Sequence, residues 1–123
     1  MPRKPRSYLR GELVVVIDCS DLSRSADFWA SVLGYVLDRP GSDRYQTLLP
    51  ADGDEILLQR VPERKQGKNR LHLDFAAADM DAEVARLVAL GGQKVQTFDQ
   101  YTGFTVMLDP EGNEFCIVRE RPS

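Results

Sequence analysis

His72 is the one histidine in the chain, and its side chain has the chemistry that a general base or a metal ligand requires. An imidazole titrates near neutral pH, so it exchanges protons readily under physiological conditions. Asp74 follows two positions later, and in an extended segment two such side chains point to the same side. The spacing predicts His72 as the catalytic residue, with Asp74 able to orient it. A hydrogen-bonded histidine that only lines a cavity fits the same spacing.

Several other polar side chains lie in segments whose alternation of apolar and polar residues is typical of β-strands. In such a strand one face packs on the core and the other is open. The open faces collect a few polar side chains among aliphatic ones, which is the usual composition of a small-molecule site. Glu114 shares this face, and the residues predicted to contact a substrate there or at its entrance are Asp18, Gln59, Arg70, Asp74 and Cys116.

These residues also have structural interpretations, which the sequence leaves open. Asp74 and Asp18 occupy similar places in the chain, so both can serve a symmetric structural role. Cys116 can be a small buried residue, because no neighbouring cation in the sequence would stabilise a thiolate. Gln59 is either an amide contact to a ligand or a polar residue at the edge of a strand.

The composition is that of one ordinary globular domain. The chain has 123 residues, of which 42% are hydrophobic and 28% charged, and these fractions argue against disorder. The net charge of −3 argues against a nucleic-acid partner, and no apolar run approaches the ~20 residues of a membrane-spanning helix. The first ten residues lack an apolar stretch, so we expect no secretory signal and a cytoplasmic protein without nucleic-acid or membrane partners.

Basic residues cluster in two places, at 3–10 and at 64–70. We expect the first cluster to be a solvated tail. In the second, Lys65, Lys68 and Arg70 either attract an anionic substrate to the cleft or are simply solvated.

An internal repeat divides the chain into two copies. Segment 51–60 aligns with segment 110–119, and the matched pairs are Gly53 with Gly112, Glu55 with Glu114, and Arg60 with Arg119. Upstream, Asp18 aligns with Asp74 if the later copy has two extra residues before its helix. Two copies indicate a duplicated fold with pseudo-two-fold symmetry.

Each copy is predicted to form a strand, a helix and three further strands. Apolar spacing, the acidic residues Asp21 and Asp79 at helix starts and Gly34 at a helix end support the helices. On the fifth strand Leu71, Leu73 and Phe75 are predicted to face the core. The predicted strands are 12–19, 35–38, 44–49, 55–61, 70–76, 93–98, 103–108 and 114–119, and the predicted helices are 22–33 and 80–90.

The doubled βαβββ pattern resembles the vicinal oxygen chelate superfamily, the group of glyoxalase I, the bleomycin resistance proteins and the extradiol dioxygenases. The resemblance covers about residues 12–119 and rests on Asp21-Leu22-Ser23-Arg24-Ser25 before Phe28-Trp29, Leu33-Gly34-Tyr35 and Asp109-Pro110-Glu111-Gly112-Asn113. Segments 59–63, 68–74 and 112–116 resemble the small actinobacterial-type glyoxalase-like domains. The resemblance implies an α+β fold in which modules 11–63 and 68–120 form a cupped mixed β-sheet, as a single domain (11–123) after a basic tail (1–10).

Metal-using members of this superfamily take ligands from the first and last strand of each module. The resemblance places those four positions at Val14, Leu57, His72 and Cys116. Valine and leucine cannot ligate a metal, whereas divalent ions ordinarily need three or four protein donors. We therefore expect a degenerate metal site in which His72 and Cys116 are the remaining donors.

A third donor for that site is hard to supply from the sequence. Gln59 lies two residues from Leu57 on the same face and is a weak candidate, and Asp18 or Asp74 would reach the site only if their strands shifted in register. We expect no resident cofactor, and a divalent metal (Zn, Ni, Mn or Fe) is the alternative.

The resulting hypothesis is a glyoxalase-like protein that binds a small polar or oxygenated molecule in its β-cup. The first alternative is a metal-dependent lyase or isomerase of glyoxalase type that uses His72. The second alternative is a metal-free module that binds an antibiotic, as bleomycin resistance proteins do, or an interaction module. The resemblance also implies a homodimer.

Overall fold

The computed structural model describes residues 14–51, 54–99 and 103–120. The expected basic tail at 1–10, the first residues of the strand predicted at 12–19 and Gly53 of the repeat lie outside the described residues. Within the described ranges, no helix is long and apolar enough to cross a membrane.

The chain folds into two βαβββ units, each with one helix and one four-stranded sheet. The first unit consists of β1 (Val15–Cys19), α1 (Leu22–Leu33), β2 (Val36–Leu37), β3 (Tyr45–Leu49) and β4 (Ile56–Arg60). The second consists of β5 (Leu73–Ala77), α2 (Met80–Ala89), β6 (Gln93–Phe98), β7 (Phe104–Leu108) and β8 (Glu114–Arg119). The strand orders β1-β4-β3-β2 and β5-β8-β7-β6 are equivalent, which confirms the α+β class and the pseudo-two-fold arrangement.

Both sheets are mixed, because the first and last strand of each unit run parallel and the other pairs run antiparallel. Leu57 and Cys116, which the repeat matches, lie opposite Val16 and Asp74 respectively. Val16 is thus the structural equivalent of Asp74, and the pairing of Asp18 with Asp74 expected from the sequence is wrong. The dipeptides Ile17-Asp18 and Leu73-Asp74 are similar, but the hydrogen-bond register between the strands, and not this similarity, fixes which residues are equivalent.

Both helices begin where the sequence predicts; α1 also ends there, whereas α2 ends at Ala89, one residue earlier than predicted. The Asp21 side chain accepts a hydrogen bond from the Arg24 amide at 3.1 Å, and Asp79 accepts one from the Ala82 amide at 3.0 Å. Each carboxylate satisfies an amide that the first helical turn leaves without a partner. Gly34 ends α1 with φ of 69°, a left-handed conformation that glycine adopts without steric cost.

A single hydrophobic core joins the two units. Trp29 of α1 packs its ring 5.0 Å from that of Phe115 on β8 and 6.1 Å from that of Phe75 on β5, measured between centroids. The first unit's helix therefore rests partly on the second unit's sheet. Leu48 and Leu58 of the first sheet and Met107 and Ile117 of the second are also fully buried members of this core.

The turn between β7 and β8 ties the second unit to the start of α1. The Glu111 carboxylate accepts hydrogen bonds from the amides of Ser20 and Asp21, each at 3.0 Å. Burial by itself would raise the pKa of Glu111, but these hydrogen bonds outweigh it and hold the pKa below its usual value. The negative charge thus lies beside the positive end of the helix dipole.

One face assignment from the sequence is wrong. The fifth strand begins at Leu73 rather than at residue 70, and Leu71 is 88% exposed instead of packing on the core. Alternation of faces holds only inside a strand, and residues 70 and 71 belong to a bend that precedes β5.

Candidate functional site

The open face of the second sheet carries its side chains in rows that cross the strands. The backbone register places residues of β5, β8 and β7 side by side, and alternation turns every second residue to this face. One row is Asp74, Cys116 and Val106; the next row, two residues further along β8, is Ala76, Val118 and Phe104. The face therefore changes from polar to apolar along the strand direction.

A cavity of about 600 Å³ lies over these rows. Its floor is formed by both rows, and Lys68, Asn69, His72 and Glu114 surround its polar end. Gly103, Arg119 and Glu120 line the cavity beyond the apolar row. A mostly apolar concavity with a few converging polar groups is the usual form of a small-molecule site.

Three side chains that could ligate a metal ion or exchange a proton meet at the polar end of this cavity. The Nε2 atom of His72 lies 3.2 Å from Oδ1 of Asp74, and the ligand atoms of His72, Asp74 and Cys116 all lie within 4.8 Å of one another. The His72 and Asp74 side chains are 45% and 58% exposed, whereas Cys116 is buried. The first two can thus meet a ligand from the solvent side, above the sulfur.

The Cys116 thiol keeps its proton in this environment. Burial is the main cause that raises its pKa, and the charge of Asp74 and a hydrogen bond to that carboxylate raise it further. The positive charge of Lys68 opposes these effects only in part. Cys116 is therefore not activated as a nucleophile, because the reactive form is the thiolate.

The expectation that Asp74 reaches the donor group only after a register shift is wrong. His72 and Asp74 share the open face, and the parallel pairing of β5 with β8 places Asp74 directly opposite Cys116. Gln59, by contrast, lies on β4 opposite Asp18 and lines neither this cavity nor the one beside it. Asp74 is thus the third potential metal ligand, and it belongs to the same βαβββ unit as His72 and Cys116.

Glu114, which the sequence places on the open face, also positions the loop before β5, a role that no local sequence pattern indicates. Its carboxylate lies 2.5 Å from Lys65 Nζ and accepts a hydrogen bond from the Asn69 amide, while the Asn69 side chain donates to the Glu114 carbonyl at 3.3 Å. These partners outweigh burial and lower the pKa of Glu114. Lys65 is consequently engaged with Glu114, and Lys68 is the loop lysine that lines the cavity.

A second cavity of about 630 Å³ adjoins the first. It lies between β1 and the bend before β5, where Val14, Val16 and Asp18 face Arg70 and Leu71. The residues that line both cavities are Asn69, His72 and Glu114. The structure thus places Asp18 and Arg70 around the neighbouring cavity, with His72 at the junction.

The paired βαβββ units and the cavity on the open sheet face define the class of protein, which is the vicinal oxygen chelate superfamily. A family model described as "Glyoxalase-like domain" matches residues 14–118. The chain therefore belongs to the glyoxalase-like domain family. No protein of curated function matches its sequence significantly.

Solved structures share the fold at low sequence identity. A glyoxalase/bleomycin resistance protein/dioxygenase family enzyme from Burkholderia phytofirmans is 21% identical with a TM-score of 0.72, and the match covers 86% of this chain and 95% of that one. The fosfomycin resistance protein FosX from Mesorhizobium loti is 16% identical (TM-score 0.73; 92% and 94% covered). A lactoylglutathione lyase from Agrobacterium tumefaciens is also 16% identical (TM-score 0.65; 92% and 96% covered).

Proposed function

We propose that this chain binds a small polar or oxygenated molecule in the cavity over its second sheet. The observation that carries the proposal is the convergence of His72, Asp74 and Cys116 at one end of a cavity whose floor is otherwise apolar. His72 and Asp74 present accessible hydrogen-bonding atoms, and Lys68 adds a positive charge beside them. Asp18 and Arg70 extend the site into the adjoining cavity.

His72 is the residue whose removal tests this proposal. It is half exposed and lies outside the core, so we expect His72→Ala to weaken ligand binding and leave the melting temperature nearly unchanged. A thermal-shift screen of small oxygenated compounds identifies ligands, and NMR shifts of backbone amides locate them. Asp27→Ala, an exposed change on α1, is the matched control. Ligands that shift only amides remote from both cavities would show that the proposal is wrong.

A metal-dependent lyase or isomerase is the second candidate, because the donor set fits a metal. Three protein ligands with one open position are typical of catalytic zinc, and an imidazole with a thiolate favours zinc among the divalent ions. His72, Asp74 and Cys116 would hold the ion, which would supply Lewis acidity toward a substrate oxygen.

We favour ligand binding without catalysis over the metal-dependent reaction, because the Cys116 thiol keeps its proton and His72 and Asp74 contact each other. A metal must displace the Cys116 proton, whose pKa is raised by burial, and must also break the contact between His72 and Asp74. Both steps lower the net affinity at neutral pH.

We also propose that the protein is a cytoplasmic homodimer. Val14 and Val16 are 46% and 48% exposed and Leu71 is 88% exposed, and all three line the open second cavity. Exposed apolar patches of this kind often mark contacts between proteins. Light scattering at micromolar concentration measures the mass, and a monomer would contradict the dimer.

A further inference from the structure

Two phenylalanine rings stand side by side on the open face of the second sheet. Phe98 on β6 and Phe104 on β7 are directly paired across the strands, and their rings are stacked with centroids 5.0 Å apart and planes at 21°. The 5.0 Å between the ring centroids is close to the spacing of paired strands, so we infer that Phe98 covers the face of the Phe104 ring on the β6 side. The other face of that ring is directed along the sheet toward β8.

The neighbours on that side are small. Val118 lies directly opposite Phe104 on β8, and Ala76 follows on β5 in the same row. Phe104, Val118 and Ala76 all line the first cavity. The row therefore leaves a slot above Val118 and Ala76, with an aromatic wall at one side.

We propose that the ligand of this cavity carries a planar aromatic ring, which stacks on Phe104 as the third ring of the series. This inference rests on the proposed function and specifies the chemical class of its ligand. The ring lies above Val118, and its polar substituent points along β8 toward Asp74 and Cys116. Adjacent rows on one face are about 6.7 Å apart, which matches the reach of one ring with one polar group.

The charges at the polar end favour a neutral substituent that both donates and accepts hydrogen bonds. Asp74 provides an acceptor that is 58% exposed, and Lys68 provides a donor in the same cavity. Glu114 is already compensated by Lys65, so it adds little net charge. A carboxamide or a comparable neutral group satisfies both sides.

The first sheet offers a matched control position. Tyr45 lies opposite Gln59 on β4, as Phe104 lies opposite Val118 on β8, so the two aromatic residues are equivalent in the repeat. Tyr45 is exposed and lines neither cavity. Its replacement changes an aromatic side chain at the same place in the fold without touching the slot.

The experiment compares benzamide with cyclohexanecarboxamide, which has the same polar group on a ring that is not planar. NMR titrations follow the amides of Ala76 and Val118 and give both dissociation constants. We expect benzamide to bind about 2- to 10-fold more tightly, which is the usual gain from one aromatic pair. Phe104→Leu should abolish this preference, and Tyr45→Leu should retain it.

Equal affinities in the unchanged protein would overturn the inference, as would a preference that survives Phe104→Leu. The comparison in the unchanged protein stands even if the Phe104 variant does not fold. If ligands from the screen shift the amides of Ala76 and Val118 but benzamide does not, the cavity remains the binding site and the aromatic class is wrong. If neither the screen nor benzamide shifts them, the proposed function fails as well.

Discussion

The indole Nε1 of Trp29 donates a hydrogen bond of 3.0 Å to the carboxylate of Asp109, which is only 3% exposed. The same carboxylate accepts hydrogen bonds from the amides of Glu111 and Asn113 and from the Asn113 side chain. One buried acid therefore shapes the turn between β7 and β8 and also fixes the helix of the other unit. Together with the hydrogen bonds of Glu111 to the amides of Ser20 and Asp21, it gives the contact between the units a direction that apolar packing alone would not supply.

We expect Asp109→Ala to lower the free energy of unfolding by about 2 to 4 kcal/mol, because it leaves several buried donors without an acceptor. Urea denaturation followed by tryptophan fluorescence measures the change. Asp27→Ala, an exposed acid on α1, should stay within about 0.5 kcal/mol of the unchanged protein. A neutral effect of Asp109→Ala would contradict the bridging role of this carboxylate.

Stability should fall as the solution becomes acidic, because the pKa values of Glu111 and Glu114 are lowered in the folded protein. A group with a lowered folded pKa stabilises the protein above its unfolded pKa, about 4.5, and loses this contribution as pH falls through the folded value. Urea midpoints between pH 7 and pH 3 measure the loss. Glu111→Gln should reduce the fall of the urea midpoint between pH 7 and pH 3. Glu63→Gln, an exposed change, should leave that fall unaltered. If the urea midpoint of Glu111→Gln depends on pH as steeply as that of the unchanged protein, the lowered pKa of Glu111 does not cause the acid sensitivity.

The loop before β5 should become mobile when Glu114 is replaced. Glu114→Ala removes the acceptor of Lys65 Nζ and of the Asn69 amide, so we expect the Asn69 amide to exchange its hydrogen faster. Hydrogen exchange read by NMR measures this rate. Glu120→Ala, on the same face at the other end of β8, is the control and should leave Asn69 unchanged. Unaltered protection of Asn69 in the Glu114 variant would show that other contacts hold the loop.

The purified protein should contain less than one divalent metal ion per chain at neutral pH. The Cys116 thiol holds its proton because burial and Asp74 raise its pKa, so an ion must compete with that proton. Inductively coupled plasma mass spectrometry measures the metal content. Added zinc should bind more tightly as pH rises, and Cys116→Ser should weaken that binding. One equivalent of metal that copurifies and disappears in His72→Ala would favour the metal-dependent enzyme instead.

The sequence predicts the elements well where the signals are local. The helix at Leu22–Leu33 is found as predicted, because Asp21, the apolar spacing and Gly34 all lie within the segment itself. The prediction fails at residues 70 and 71, where the apolar and polar alternation continues but the strand has not begun. What holds that bend is Glu114, more than forty residues away, and no local pattern reveals such a contact.

The site is only partly predictable for the same reason. Face alternation correctly places Asp74 and Cys116 on the open face, since the period of a strand is a local property. His72 precedes β5 by one residue, and its place beside them is known only from the structure. That Asp74 lies opposite Cys116, while Gln59 lies opposite Asp18 in the other sheet, depends on how strands distant in sequence pair. Register between such strands is set by the whole fold, so the donor group became evident only with the structure.

The equivalence of Val16 with Asp74, and of Leu57 with Cys116, has a consequence for how such a protein can change. At these two places the second half carries an acid and a thiol and the first half carries aliphatic side chains, whereas in the next row Asp18 and Gln59 of the first half match Ala76 and Val118 of the second. A substitution at Val16, which lines the second cavity, can therefore alter that cavity while His72, Asp74 and Cys116 are all retained. Conversely, an acid at Val16 and a thiol at Leu57 would reproduce the pairing of Asp74 with Cys116 in the first sheet. The duplicated fold therefore provides a second position where a polar cluster of this kind could form.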